Sequence, residues 1–126
     1  MTDKLTVAVT LEPGGVLVYD YPDGVELDLA DAEALIAKAM QLTDCPRPCL
    51  ILIGKRVKLS REARDYFARH PDNRAVTAAA AMVVQSAIGR MIGNFFVGLN
   101  RSRFPQQVFD DADKARAWLA SVEPKP

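Results

Sequence analysis

Ser60 is the side chain in this sequence with the plainest route to chemistry. It follows Leu59, precedes Arg61 and Glu62, and has Arg64 one turn further on. A serine at the head of a helix can cap it by accepting from the free amides of the first turn. The same position can take a phosphoryl group, whose charge suits the positive helix end and guanidinium groups such as Arg61 and Arg64. Both readings are open from the residues alone.

The remaining reactive types are sparse. Cys45 and Cys49 flank Pro46-Arg47-Pro48, and the single histidine, His70, lies far along the chain, so the roughly four ligands of a metal site do not assemble. No metal or other cofactor is expected. A disulfide would have to close a very short loop stiffened by two prolines; a small buried Cys49 opening a strand and a loop Cys45 are expected instead. Gly14-Gly15 reads as a hairpin turn, because neither the strand-to-helix context nor the lysine of a phosphate cradle follows. His70, beside Pro71, shows no readable pairing with a nucleophile and an acid. The chain is therefore not expected to be an enzyme.

Two further clusters point to binding. Met91, Ile92, Phe95, Phe96 and Leu99 recur at helical spacing, with Gly93 and Gly98 leaving room for close approach by a ligand or a second copy. Such a stripe is either core or the wall of an apolar site. Arg90, Arg101 and Arg103 either clasp an anion or complement a helix C-terminus.

These residues need a scaffold, and hydrophobic periodicity supplies one. Leu5, Val7, Val9 and Leu11 alternate as a half-buried strand; Pro13-Gly14-Gly15 turns the chain into residues 16–19; Tyr21-Pro22-Asp23-Gly24 turns it again into residues 25–29. A three-strand antiparallel meander is expected there. Ala32, Leu35, Ile36, Ala39 and Met40 follow at helical spacing, with Asp28 or Asp31 as cap. Residues 49–53 form a continuous apolar run, the mark of a strand covered on both faces. Ala63, Tyr66 and Phe67 line a second helix that stops at His70-Pro71-Asp72-Asn73.

Residues 75–84 hold four consecutive alanines, and Val76 to Leu99 could be drawn as one long helix. A buried strand over 75–84, then a cap at Gln85-Ser86 and a third helix, is the preferred reading. Gln107-Val108-Phe109 is a last strand, and Asp110 caps a last helix burying Ala115, Trp118, Leu119 and Val122. The order predicts an α/β mixed sheet, a meander followed by αβαβαβα, in one domain over 1–126.

That order, with residues 57–67, 92–100, Phe104-Pro105, Val108-Phe109, Ala115, Trp118 and Leu119, resembles the STAS domains of anti-sigma-factor antagonists. The resemblance is closer to small bacterial SpoIIAA-like proteins of unknown function. The resemblance implies a SpoIIAA-like fold and a regulatory or protein-interaction role. It also implies that Ser60, which stands where the antagonists carry the serine phosphorylated by a partner kinase, is the regulatory residue. The antagonists' Asp-Ser-Ser-Gly-like signature is replaced here by Leu59-Ser60-Arg61-Glu62.

Sixteen basic and sixteen acidic residues give a net charge of +0, which lacks the basic excess of a nucleic-acid binder. The first residues show no charged leader ahead of a long apolar run, and no run reaches the ~20 residues that span a bilayer. A cytoplasmic protein without membrane insertion is expected. Its expected partner is a protein or a second copy, as in a homodimer, and the alternative is carriage of a small apolar ligand such as a lipid. A degenerate enzyme using Ser60 or His70 is the weaker third reading.

Overall fold

The structure, a computed structural model, describes residues 7–84 and 104–122. Strands β1 (Ala8–Leu11), β2 (Leu17–Tyr21), β4 (Arg47–Ile53), β6 (Thr77–Val84) and β7 (Gln106–Phe109) form one sheet in the order β1-β2-β4-β6-β7. The β1–β2 pair is antiparallel and every other pair is parallel. The hairpin closes where Gly15, at φ 93°, takes a left-handed conformation that L side chains resist. Parallel neighbours need a crossover, and the helices supply it: α1 (Leu29–Leu42) between β2 and β4, then α2 (Arg61–Arg69) and α3 (Pro71–Val76) between β4 and β6. The last helix, α4 (Ala112–Ser121), follows β7.

Each face of the sheet carries its own core. Leu17, Tyr19, Tyr21 and Cys49 point toward α1 and α3, where they join Val9, Leu35, Ala39 and Val76. The alternate residues Leu50, Ala79, Ala81 and Val83 point the other way and meet Ala115 and Leu119 of α4. Period-two alternation in the strands and a 3.6-residue period in the helices thus meet in two layers.

The α/β architecture is the expected one, and its details depart from expectation at several points. The third strand of the anticipated meander does not join the sheet. Both edges of β2 are already taken, by β1 and by β4, so β3 (Glu26–Leu27) has no place beside it. It pairs instead with β5 (Lys58–Leu59), in parallel, as a separate two-stranded sheet. Leu29, read as the end of that strand, is the first residue of α1, behind a capping box of Asp28 and Asp31.

The alanine-rich segment is a strand. Ala79 to Ala81 lie between β4 and β7 and are almost wholly buried, so the strand's hydrogen bonds to both neighbours override alanine's preference for helix. It begins at Thr77, because residues up to Val76 belong to α3. The second helix stops at His70 as expected, and proline at the first helical position starts a further helix, α3, directly after it. The cap of α4 is Asp111, whose Oδ1 accepts from the amides of Asp113 and Lys114, and not Asp110. Strand β4 opens at Arg47, two residues before Cys49. Both cysteines are free. The helix expected over residues 86–99 lies outside the described residues.

Candidate functional site

Two concavities stand out among the described residues, and the layout of the fold explains both.

The first lies where α1 begins beside α2. The amide of Ser60 donates to Leu27 O at 2.9 Å, which fixes the head of α2 against the residues that lead into α1. Leu29, the first residue of α1, is 40% exposed, whereas Ala32, Leu35, Ile36 and Ala39 further along the same helix are buried. With Tyr66 and Pro71 it forms the apolar part of a shallow groove of about 440 Å³, rimmed by Glu62, Asp65, Arg69 and His70. Tyr66 stacks on His70 with ring centroids 4.5 Å apart and meets Phe67 edge-on. Burial, reinforced by the carboxylates of Asp72 and Glu33, holds the Tyr66 hydroxyl above its ordinary value. It therefore stays a neutral phenol, able to donate and accept.

Ser60 stands at the head of this groove's helix. Its Oγ accepts from the Ala63 amide at 3.1 Å, so the cap is present. Arg61 is exposed and Arg64 half-buried on the same helix. The sequence-predicted trio of Ser60, Arg61 and Arg64 thus falls within one turn at the start of α2. Met91, Ile92, Gly93, Phe95, Phe96, Arg101 and Arg103, together with Arg90, lie outside the described residues.

The second concavity is a cleft of about 530 Å³ at the carboxyl ends of β2, β4 and β6. Leu52, Ile53 and Val83 give it an apolar lining, and Asp20, Asp23 and Asp110 bring carboxylates. Asp23 is engaged: its Oδ1 accepts from the Lys55 amide at 2.6 Å. Gly54 donates to Tyr21 O and Gly24 donates to Lys55 O, which stitches the turn after β2 to the loop after β4. Asp110 is 3.9 Å from Lys114. No group of three or more histidine, cysteine, aspartate or glutamate side chains among the described residues is placed to hold a metal ion.

Cys49, Tyr19 and Tyr21 are buried in the core on the α1 side of the sheet. Burial pushes the Cys49 thiol up to about 12, partly offset by its contact with Thr77. Burial also raises Tyr19 and Tyr21. All three stay neutral and belong to the core.

Neither concavity was visible in the sequence as a site. Leu29 gave no signal of its own, since it stands three residues before Ala32 and seven before Ile36 and so shares their side of α1. Asp20, Asp23, Gly54 and Asp110 come together only through strand order.

A profile described as a domain of unknown function, DUF7793, matches residues 9–123. Among solved structures, the chain is similar to an uncharacterised protein of the DUF3478 family, with a SpoIIAA-like fold, from Shewanella loihica PV-4. The match has 18% identity and a TM-score of 0.57 over 94% of this chain and 98% of that one. No curated protein matches. No helix among the described residues is long and apolar enough to cross a membrane.

Proposed function

We propose that this chain, which belongs to the DUF7793 family of domains of unknown function and has a SpoIIAA-like fold, is a non-enzymatic module that docks a protein partner along the α1–α2 face. The observation that supports this reading most is the groove at Leu29 and Tyr66. An exposed leucine and an aromatic ring with a polar tip, surrounded by charged side chains, have the composition of a small interface patch. The rim contributed by α2 holds Glu62 and Asp65 against Arg69. The fitting occupant is an apolar segment with basic residues beside it. Ser60 heads the same helix, so a phosphoryl group there would place negative charge at the end of the docking face and regulate it.

The cleft at the strand ends suits an apolar cargo less well. A carrier encloses a lipid in an apolar cavity, whereas this cleft carries Asp20, Asp23 and Asp110.

The test places a photo-crosslinking amino acid at position 29 in cells, with the same residue at exposed Ala117 on α4 as control. The reading expects one discrete adduct at position 29, mapped by mass spectrometry to an apolar segment with neighbouring lysine or arginine. Tyr66→Glu should abolish it. No adduct at 29, or the same adduct from 117, overturns the reading. An adduct of twice the chain's mass would make the occupant a second copy and remove the basic-segment partner.

A further inference from the structure

His70 holds two helices at one point. Its amide donates to Tyr66 O at 2.9 Å and closes α2, while its side chain opens α3: imidazole Nδ1 accepts from the Asp72 amide at 3.1 Å. A ring nitrogen that accepts must hold a lone pair, so in this arrangement the imidazole is neutral and carries its proton on Nε2. The same Nδ1 lies 3.8 Å from Asp72 Oδ2, and the ring stacks on Tyr66.

These contacts cannot all be satisfied in both protonation states. With Nδ1 bare, the Asp72 amide has its acceptor and the carboxylate has no cation opposite it. With Nδ1 protonated, two N–H groups face each other and the cap is lost. In exchange, the Asp72 carboxylate gains an ion pair and the Tyr66 ring gains a cation on its face. One proton therefore trades one bonding scheme for the other.

We infer that His70 is a pH-operated cap, which holds the first turn of α3 when neutral and releases it when protonated. The groups that share the groove with it are Glu62, Asp65, Tyr66 and Arg69 of α2, and Asp72 faces it from α3; Arg74 stands in the last turn of α3, and Glu33 of α1 acts on Tyr66. Among them Glu62, Asp65 and Arg69 give the groove rim an acidic excess, which a proton on His70 balances. The release also reaches inward. Asn73, two residues on, donates to Phe67 O and accepts from Thr77 Oγ1, so the turn that His70 holds is tied to α2 and to the start of β6. The consequence for a partner rests on the docking reading above; the switch itself does not.

The test is solution NMR of the full chain between pH 8 and pH 5, following the imidazole nitrogens and the backbone amides. The expected result is the Nε2–H tautomer at pH 8 and an Asp72 amide proton that moves upfield with the same midpoint as the ring. The protection factor of that amide should fall about fivefold, the factor equivalent to one N-cap of about 1 kcal/mol. His70→Asn, which keeps an acceptor that does not titrate, should make the Asp72 response flat. An Nδ1–H tautomer at pH 8, an Asp72 amide that ignores pH in the wild type, or an unchanged response in His70→Asn overturns the inference. If His70→Asn does not fold, the wild-type tautomer decides alone. No partner enters this measurement, so it fails or succeeds apart from the docking reading.

Discussion

Gly54 sits where three constraints of the fold converge, and Gly54→Ala tests them together. A Cβ built there would lie 2.5 Å from Asp23 Oδ1, 2.7 Å from Asp23 N and 2.7 Å from Tyr21 O. Two of these are backbone atoms, and the third is a carboxylate oxygen held by the Lys55 amide, so none can swing aside cheaply. The loop after β4 must retreat. Overpacking of this kind costs ~1–3 kcal/mol. The retreat also stretches the bonds from Gly54 to Tyr21 and from Lys55 to Asp23, each worth about 1 kcal/mol net. The sum is about 3–5 kcal/mol, a large part of the ~5–15 kcal/mol that holds a domain together. Urea unfolding followed by circular dichroism measures it: the midpoint should fall with little change in slope. Gly14→Ala is the matched control, since a Cβ at Gly14 meets nothing within 4 Å, and it should stay within about 0.5 kcal/mol of the wild type. A Gly54→Ala protein within 1 kcal/mol of the wild type would refute the stitched junction between the β2 turn and the β4 loop.

Ser60→Ala should cost about 1 kcal/mol in urea unfolding, and Ser60→Asp should recover most of it, because aspartate also caps; equal losses in the two would mean that Oγ is not the cap. A thiol reagent at pH 8 should label half-buried Cys45 and leave Cys49 unmodified until the protein unfolds. Stability should fall at alkaline pH. The Cys49 thiol, ordinarily near 9, is pushed up to about 12 by burial, so above pH 9 the unfolded chain loses this proton while the folded chain keeps it. The contribution is complete below pH 9 and lost as pH rises toward 12, at about 1.4 kcal/mol per pH unit. Tyr19 and Tyr21, both raised by burial, add to the fall above about pH 10. Cys49→Ala should flatten the slope between pH 9 and 10, as measured by urea midpoints, and an unchanged slope would contradict the buried thiol.

Much of the fold was legible because its signals are local. The alternation of Val7, Val9 and Leu11, the stripe of Ala32, Leu35, Ile36 and Ala39, and the apolar run ending at Ile53 each report a period set by one element and one buried face. Even the alanines at 78–81 could be read as strand, since small side chains suit a layer packed on both sides. What was not legible depends on competition between distant segments. Residues 25–29 alternate like a third strand, yet their place in the sheet depends on whether β2 has an edge to spare, and β4, some thirty residues later, takes it. Asp110 and Asp111 are equally good caps in sequence; only the path from β7 into α4 aims one at the free amides. His70-Pro71 ends one helix and begins another, and a stop signal looks the same in both cases.

The candidate site was legible at Ser60, because a helix cap is written in neighbouring residues. The groove was not, since Leu29 and Tyr66 meet only through the packing of α1 on α2. The cleft was not, because Asp20, Leu52, Val83 and Asp110 come from four separate stretches of chain.

The docking claim is tested most directly by hydrogen exchange on the purified protein, with and without a synthetic peptide covering the segment captured at position 29. Protection is expected over the start of α1 and along α2, at residues 29–33 and 61–70, with the strand ends unchanged. Protection concentrated instead at residues 20–23, 52–54 and 110–112 would place the partner in the cleft and contradict it.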